Sequence, residues 1–365
     1  NKTFKLPGDS NYPGVVMGYF NPEPKRKKED LFNMEEEWEK LDIVLSKGKM
    51  AVVTGLRRYG KTSLMLTYLN ESKKKYVYVD CRLLPSTISL SSFLNLINSE
   101  LYNSNWGKKI LEKISSAELN VAGFGIKIRN KEEANLIKVL QELEGSVLVI
   151  DEAQVLRNSP LRFDSILAYA YDSLDLKIVV SGSEVGLLYR FLKVDDPDAP
   201  LYGRAFNEIR IKPLSEQKAK QFLRAGFEQE KVSVNEGVIN EAVQNLGGII
   251  GWLTYFGYLY VTGEKNTEKI YESATRLAAE ELKKALKVFN VGEIRYIEAL
   301  KIVATLGSAS WSEIKRGIEA KLGKVSDAKI SKILKNLMDS GFIIKSENEY
   351  RISDPVLAKG ILKHI

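Results

Sequence analysis

The sequence predicts an α/β protein: a doubly wound core with a mostly parallel sheet, then an all-helical block, then a small domain of three helices and a hairpin. Three observations predict it. A glycine-bounded loop, Gly55–Ser63 (GLRRYGKTS), stands between an apolar run and a helical one. Ser146–Ile150 is a second apolar run, and it ends in Asp151-Glu152. Strand-like and helix-like segments alternate as far as residue 212, and then strands stop until near the C-terminal end. The expected divisions are an N-terminal arm over 1–32, the core over 33–212, the helical block over 213–289 and the last domain over 290–365.

At 365 residues the chain is too long for one typical core, which agrees with several domains. Its 44% hydrophobic and 28% charged residues are those of an ordinary soluble protein. No apolar stretch is long enough for a membrane span. The first residues, Asn1-Lys2-Thr3-Phe4-Lys5, have no apolar core of a secretory signal. One cysteine, Cys81, excludes an internal disulfide and suits the reducing cytoplasm. With a single histidine, His364, a structural zinc site is not expected. A net charge of +7 permits nucleic-acid binding and equally fits a Lys/Glu-rich solvated surface.

Residues 1–32 carry Pro7, Pro13, Pro22 and Pro24 and read as an extended arm, with Lys25-Arg26-Lys27-Lys28 as a solvated basic loop. Asn33 is the expected N-cap, with Glu36 completing a capping box, of a helix over 34–45. Met50–Thr54 is the first strand. In the loop that follows, the pattern G-x-x-x-x-G-K-[ST] gives each fixed position a chemical reason. Gly55 and Gly60 permit a turn that a side chain would strain. The backbone N–H groups of Gly55, Leu56, Arg57, Arg58, Tyr59 and Gly60 can then converge on an anion at a helix N-terminus, where the dipole also favours negative charge. Lys61 can reach β- and γ-phosphates. The Thr62 hydroxyl can ligate Mg²⁺, with Ser63 a second candidate one place late. A chance glycine turn is the competing reading, and the flanking strand and helix argue against it.

Tyr76–Asp80 is the second strand, its apolar residues β-branched or aromatic. Helices are expected over 91–102 and 131–143, with a small hairpin over 119–129. Ser146–Ile150 has the composition of a parallel strand buried on both faces. In open parallel sheets ligands sit beyond the carboxyl ends of the strands, so Asp151 and Glu152 face the crevice of the phosphate loop. Asp151 can hold Mg²⁺ through a water, and Glu152 can orient and deprotonate an attacking water. Lys177–Ser181 is the next buried strand. A hydroxyl at its end, Ser183 or else Ser181, can sense a γ-phosphate, with a plain turn as the alternative. After a helix over 184–192 comes Arg204. It either supplies positive charge to the γ-phosphate, in its own subunit or a neighbour's, or is a surface residue. A strand over 205–211 closes the core.

Four helices are expected over 215–227, 235–246, 251–261 and 267–289, a candidate lid over the nucleotide, with Gly247-Gly248 as a C-cap and close approach. The last domain reads as helices over 294–305, 311–322 and 327–340, the third N-capped by Ser326 and ended by Gly341. Strands at 342–344 and 350–352 follow, which is the winged-helix order. Thirteen Lys/Arg face nine Asp/Glu over 290–365. Lys329, Lys332 and Lys335 form one stripe that can face the phosphates of duplex DNA, or a solvated face.

GLRRYGKTS, SVLVIDEAQ, VVSGSEVG, LYGRAF and the late ISDPVL together resemble the archaeal ATPase family, among the AAA+-related signal-transducing (STAND) P-loop ATPases, from about Phe32 to near the C-terminus. The resemblance implies a P-loop NTPase core, a helical lid and a C-terminal winged helix, with ATP rather than GTP as nucleotide. It implies Lys61, Thr62, Asp151 and Glu152 in the roles argued above, with Ser183 at the sensor position and Arg204 as the arginine after the core glycine. Ile250 stands where the family's Gly-Gly-x-Pro has its proline.

The leading expectation is therefore an ATP-binding and hydrolysing switch whose cycle repositions lid and winged helix. The alternative is a nucleic-acid-binding regulator with slow or vestigial hydrolysis. The winged helix can equally serve a protein partner, self-association or autoinhibition. A small-molecule kinase would also use the loop, but it leaves the acidic pair and the winged helix without purpose.

Overall fold

The computed structural model describes residues 18–116, 131–159, 161–287 and 293–365. Residues 1–17 of the expected arm and the expected hairpin over 119–129 lie outside them. Helix α1 (Glu35–Lys47) leads into strand β1 (Met50–Thr54), which is buried at every residue. The core continues through α2 (Lys61–Glu71), β2 (Tyr76–Asp80), α3 (Leu90–Tyr102), α4 (Asn105–Ser116), α5 (Lys131–Glu142), β3 (Val147–Asp151), α6 (Phe163–Ser173), β4 (Lys177–Gly182), α7 (Val185–Leu192) and β5 (Asn207–Arg210).

The five strands form one parallel sheet in the order β2-β3-β4-β1-β5. Successive residues of a strand point to opposite faces, and both faces here are apolar. Ala51, Val53, Val149, Val179 and Ile209 pack with α1 and α2 on one side. Val52, Leu148, Ile150, Ile178 and Val180 pack with α3, α5, α6 and α7 on the other. Parallel register brings the strand ends to a single rim: Thr54 stands beside Gly182, and Asp80 beside Asp151.

The block beyond the core is helical throughout: α8 (Glu216–Gln229), α9 (Glu236–Leu246), α10 (Ile250–Val261) and α11 (Thr267–Leu286). Ser215, Asn235 and Asn266 cap three of these helices through their side chains. The last domain runs α12 (Glu293–Leu306), β6 (Ala309–Ser310), α13 (Trp311–Leu322), α14 (Asp327–Asp339), β7 (Ile343–Ser346), β8 (Glu349–Ile352) and α15 (Pro355–His364), its three strands antiparallel in the order β6-β8-β7. This is a winged helix with one helix added. α15 was not expected; it packs back along α11. Asp354 caps it and Pro355 opens its first turn.

Three readings are corrected. Asn33 is not the cap of α1: it sits at φ 53°, the helix begins at Glu35 and Met34 holds the cap position without a side-chain bond. Burial of Met34 decides this, since its side chain packs beneath the phosphate loop. Lys25 is not part of a solvated run. Its Nζ donates to the carbonyls of Gly18, Tyr19 and Asn21 at 2.8, 3.2 and 2.6 Å, and burial pushes its ammonium down to about 8. Helices α4 and α6, absent from the sequence expectation, complete the cover of one sheet face together with α3 and α5.

Candidate functional site: a phosphate loop and an acidic strand end on one rim

The loop between β1 and α2 turns through two glycines with positive φ, Gly55 at 144° and Gly60 at 91°. It delivers Lys61 to the first position of α2. That side chain is only 5% exposed, and its Nζ donates to the carbonyls of Gly55 and Leu56 at 2.8 and 3.1 Å. Burial lowers its pKa, against the pull of Glu152 and Asp151.

Thr62 Oγ1 donates to Asp151 Oδ2 at 2.9 Å, which joins the loop to the end of β3. The Asp151 carboxylate is fully buried, and Tyr78 OH (2.5 Å), Ser181 Oγ and the Glu152 N–H (3.0 Å) also donate to it. Burial, with Asp151 next, raises the Tyr78 phenol and keeps it a donor. Glu152 follows at φ 53° and turns its carboxylate toward β4. Its Oε2 accepts from Ser183 Oγ at 2.6 Å, from the Ser183 N–H at 3.2 Å and from Gln154 Nε2 at 2.6 Å. Burial would raise this carboxyl, but the Lys61 charge and these donors outweigh it and hold its pKa below the ordinary value. Glu152 is therefore an oriented anion.

These groups open into a cleft of about 620 Å³, within the range of small-molecule sites. Its floor carries Lys61, Thr62, Arg82 and Glu152. Residues of the expected arm form a second wall: Pro24, Leu31 and Phe32 face Phe222 of α8 and Tyr255 of α10. The Lys25 N–H donates to Ser63 Oγ at 3.0 Å and ties that wall to α2.

The remaining expected residues divide. Ser183 is brought to Glu152, whereas Ser181 is turned to Asp151. Arg57 lines the cleft but pairs with Glu184 at 3.2 Å. The Arg58 guanidinium turns to the helical block, bidentate to Glu281 (2.7 Å each) and 3.9 Å from the Trp252 ring. Leu56 and Tyr59 lie on the outer side of the loop, away from the cleft. Arg204 is not brought to the site in its own chain. It precedes β5, hence lies at the opposite rim of the parallel sheet, and pairs with Asp172 near the end of α6. Sequence reasoning missed the arm wall, Arg82 and Gln154. The Asp-Glu-Ala-Gln run held a signal only for Gln154.

Residues 31–256 match the model of an ATPase domain predominantly from Archaea. The chain belongs to that family. Residues 293–353 of this ATPase match a second model, the C-terminal winged helix-turn-helix domain of MCM proteins. The ATPase is similar to the Walker-type ATPase PABY2304 of Pyrococcus abyssi, at 32% identity over 94% of this chain and 99% of that one, with a TM-score of 0.79. It is also similar to the RuvB Holliday junction branch migration motor of Thermotoga maritima, at 13% identity over 92% and 95% of the two chains, with a TM-score of 0.45. No curated protein matches the chain. Among the described residues no helix is long and apolar enough to cross a membrane.

P-loop ATPase domains bind nucleotide, typically with a divalent ion. The donor set fits Mg²⁺. Thr62 and Asp151 offer hard oxygens side by side, and among the described residues no cluster of three or more His, Cys, Asp or Glu competes for a metal. Mg²⁺ takes the rest of its shell from phosphates and water.

Proposed function

We propose that this ATPase binds ATP with Mg²⁺ in the cleft between core, arm and helical block, cleaves the γ-phosphate, and uses the cycle as a STAND-type switch on its winged-helix domain. One observation carries the reading: Thr62 of the loop meets Asp151 of β3, and the Glu152 carboxylate is anchored to Ser183 on the same rim. Thr62 and Asp151 would hold the metal, which when bound neutralises charge on the β- and γ-oxygens. Lys61 supplies a second cation. Glu152 orients the attacking water and takes its proton, and Ser183 keeps that carboxylate aimed. The apolar wall of Leu31, Phe32, Phe222 and Tyr255 suits a stacked base. Nucleotide binding and phosphate release measured on Lys61→Ala and Glu152→Gln test the reading. The first should lose binding, and the second should keep binding and lose turnover; unchanged turnover in both would reject it.

The winged helix supports a second reading as a duplex-DNA arm, because Lys329, Lys332 and Lys335 are all exposed on α14. Salt-dependent duplex binding by the full chain, weakened in the triple alanine variant, is the expected result. Binding unchanged by the triple substitution would favour a protein partner or a second copy. Arg204 enters such an assembly as a charge offered in trans.

A further inference from the structure

Three arginines line the cleft: Arg57, Arg58 and Arg82. Two of them carry tertiary links. Arg57 ties the phosphate loop to the end of β4 through Glu184, and Arg58 ties it to α11 through Glu281. Drawing either toward a phosphate would break a contact between elements. Arg82 differs. Its guanidinium pairs with Asp80, two residues away, through Nε–Oδ1 at 2.8 Å and Nη2–Oδ2 at 2.7 Å. Asp80 Oδ1 also accepts from the Arg82 N–H at 3.0 Å, so the residue is set in place by its backbone as well as its head group. The head group can therefore leave Asp80 without disturbing the turn. Its side chain is 59% exposed, the most of the three.

Position adds direction. Asp80 is the register partner of Asp151, so Arg82 springs from the strand end beside the metal-binding carboxylate. Its charge is felt by Lys61, and it in turn feels Asp151 and Glu152. From the β5 side, Arg204 lies at the opposite rim, and Arg210, at the carboxyl end of β5, is not among the residues that line the cleft.

We propose that Arg82 is a further cation that this chain supplies in cis, beside Lys61, to the γ-phosphate during cleavage, and that Asp80 positions it; this rests on the ATP-hydrolysis reading. In that step a water oxygen bonds to Pγ and the bond from Pγ to the bridging β-oxygen breaks. ADP leaves with that electron pair, and the water proton passes to Glu152. Arg82 exchanges no proton. It stabilises the charge on the γ-oxygens, which is greatest as they transfer.

The test compares Arg82→Ala, Arg82→Lys and Asp80→Asn with wild type and Glu152→Gln. Steady-state ATPase, ADP binding and trapping of ADP with aluminium fluoride are measured on the full chain. Arg82→Ala should lower kcat by about a hundredfold or more, leave KM and ADP affinity within about threefold, and abolish fluoride trapping. Arg82→Lys should recover only part of kcat, and added guanidinium should raise turnover of the alanine variant but not of wild type. Asp80→Asn should give a smaller kcat loss of about tenfold. If Arg82→Ala keeps kcat and trapping while Glu152→Gln loses turnover, the proposal falls and the hydrolysis reading stands. If it raises KM with kcat unchanged, Arg82 is a binding residue and the proposal also falls. If Glu152→Gln itself keeps turnover, the hydrolysis reading falls and takes the proposal with it.

Discussion

Asp354 is the sharpest place to perturb the link between the phosphate loop and the winged helix. Its carboxylate accepts from the N–H groups of Val356 and Leu357 at 2.8 and 3.3 Å, capping α15, and from the Trp252 indole N–H at 2.8 Å. The face of the Trp252 ring carries the guanidinium of Arg58 from the loop. In Asp354→Ala the lost cap costs about 1 kcal/mol. The indole N–H of a residue only 1% exposed is left without an acceptor, which adds roughly 1–3 kcal/mol. The total is about 2–4 kcal/mol. With an m-value of about 3 kcal/mol/M the urea midpoint falls by about 1 M, read by circular dichroism. Asp354→Asn removes a buried charge but keeps one oxygen, which can serve the cap on Oδ1 or the indole on Oδ2 and not both, so its stability at pH 7 should fall between wild type and the alanine variant. Burial raises the Asp354 carboxyl above its ordinary value, against its hydrogen bonds. A carboxyl raised in the folded state stabilises most below its unfolded pKa of about 3.9, and that stability is lost as pH rises through the folded value. Wild type should therefore lose stability relative to Asp354→Asn as pH climbs from about 4 toward neutrality. An alanine variant as stable as wild type, or a stability difference between wild type and Asp354→Asn that does not change with pH, would refute the reasoning.

Two further outcomes follow from the cleft. Tyr78→Phe removes one donor from Asp151 and should weaken Mg²⁺ by about tenfold, read as the Mg²⁺ dependence of nucleotide binding, with metal-free ADP binding unchanged. Phe32→Ala removes an aromatic wall that meets Phe222 edge-on at 5.3 Å. It should weaken ATP by about 1–2 kcal/mol but leave inorganic triphosphate unaffected in calorimetry, and equal losses for both ligands would contradict a base-stacking role.

How much of this was legible depended on where each signal resides. β1 and β2 were readable to the residue, because a run buried on both faces or rich in β-branched and aromatic side chains declares itself locally. The rim that gathers Lys61, Thr62, Asp151 and Glu152 was readable because parallel strands put their ends together whatever the intervening chain does. The arm wall was not. Nothing near Phe32 in the sequence announces Phe222 or Tyr19, which it meets in space. Arg204 misled for a different reason: it precedes β5, so the parallel topology itself puts it at the rim away from the strand carboxyl ends, a position that the family resemblance outweighed. α6 and α15 carried helical spacing and an Asp-Pro start that could have been used.

The two sides of the phosphate loop explain why its middle residues resist assignment from the motif alone. Its inner side offers backbone, Lys61 and Thr62 to the cleft. Its outer side is occupied: Leu56 lies against Gly341 beyond α14, Arg58 grips Glu281 and Trp252, and the Gly251 N–H of α10 donates to the Arg58 carbonyl at 2.9 Å. A loop held from outside is already shaped for an anion, so less ordering remains to be done on binding. The same arrangement sets a condition on any switch. A nucleotide that reshapes the loop must change at least one of these outer contacts, and by linkage whatever changes them must alter nucleotide affinity by the same factor. The route from Arg58 through Trp252 to Asp354 needs only two contacts to reach the cap of α15. A winged helix loaded with its ligand should therefore be detectable as a change in nucleotide affinity before any change in turnover.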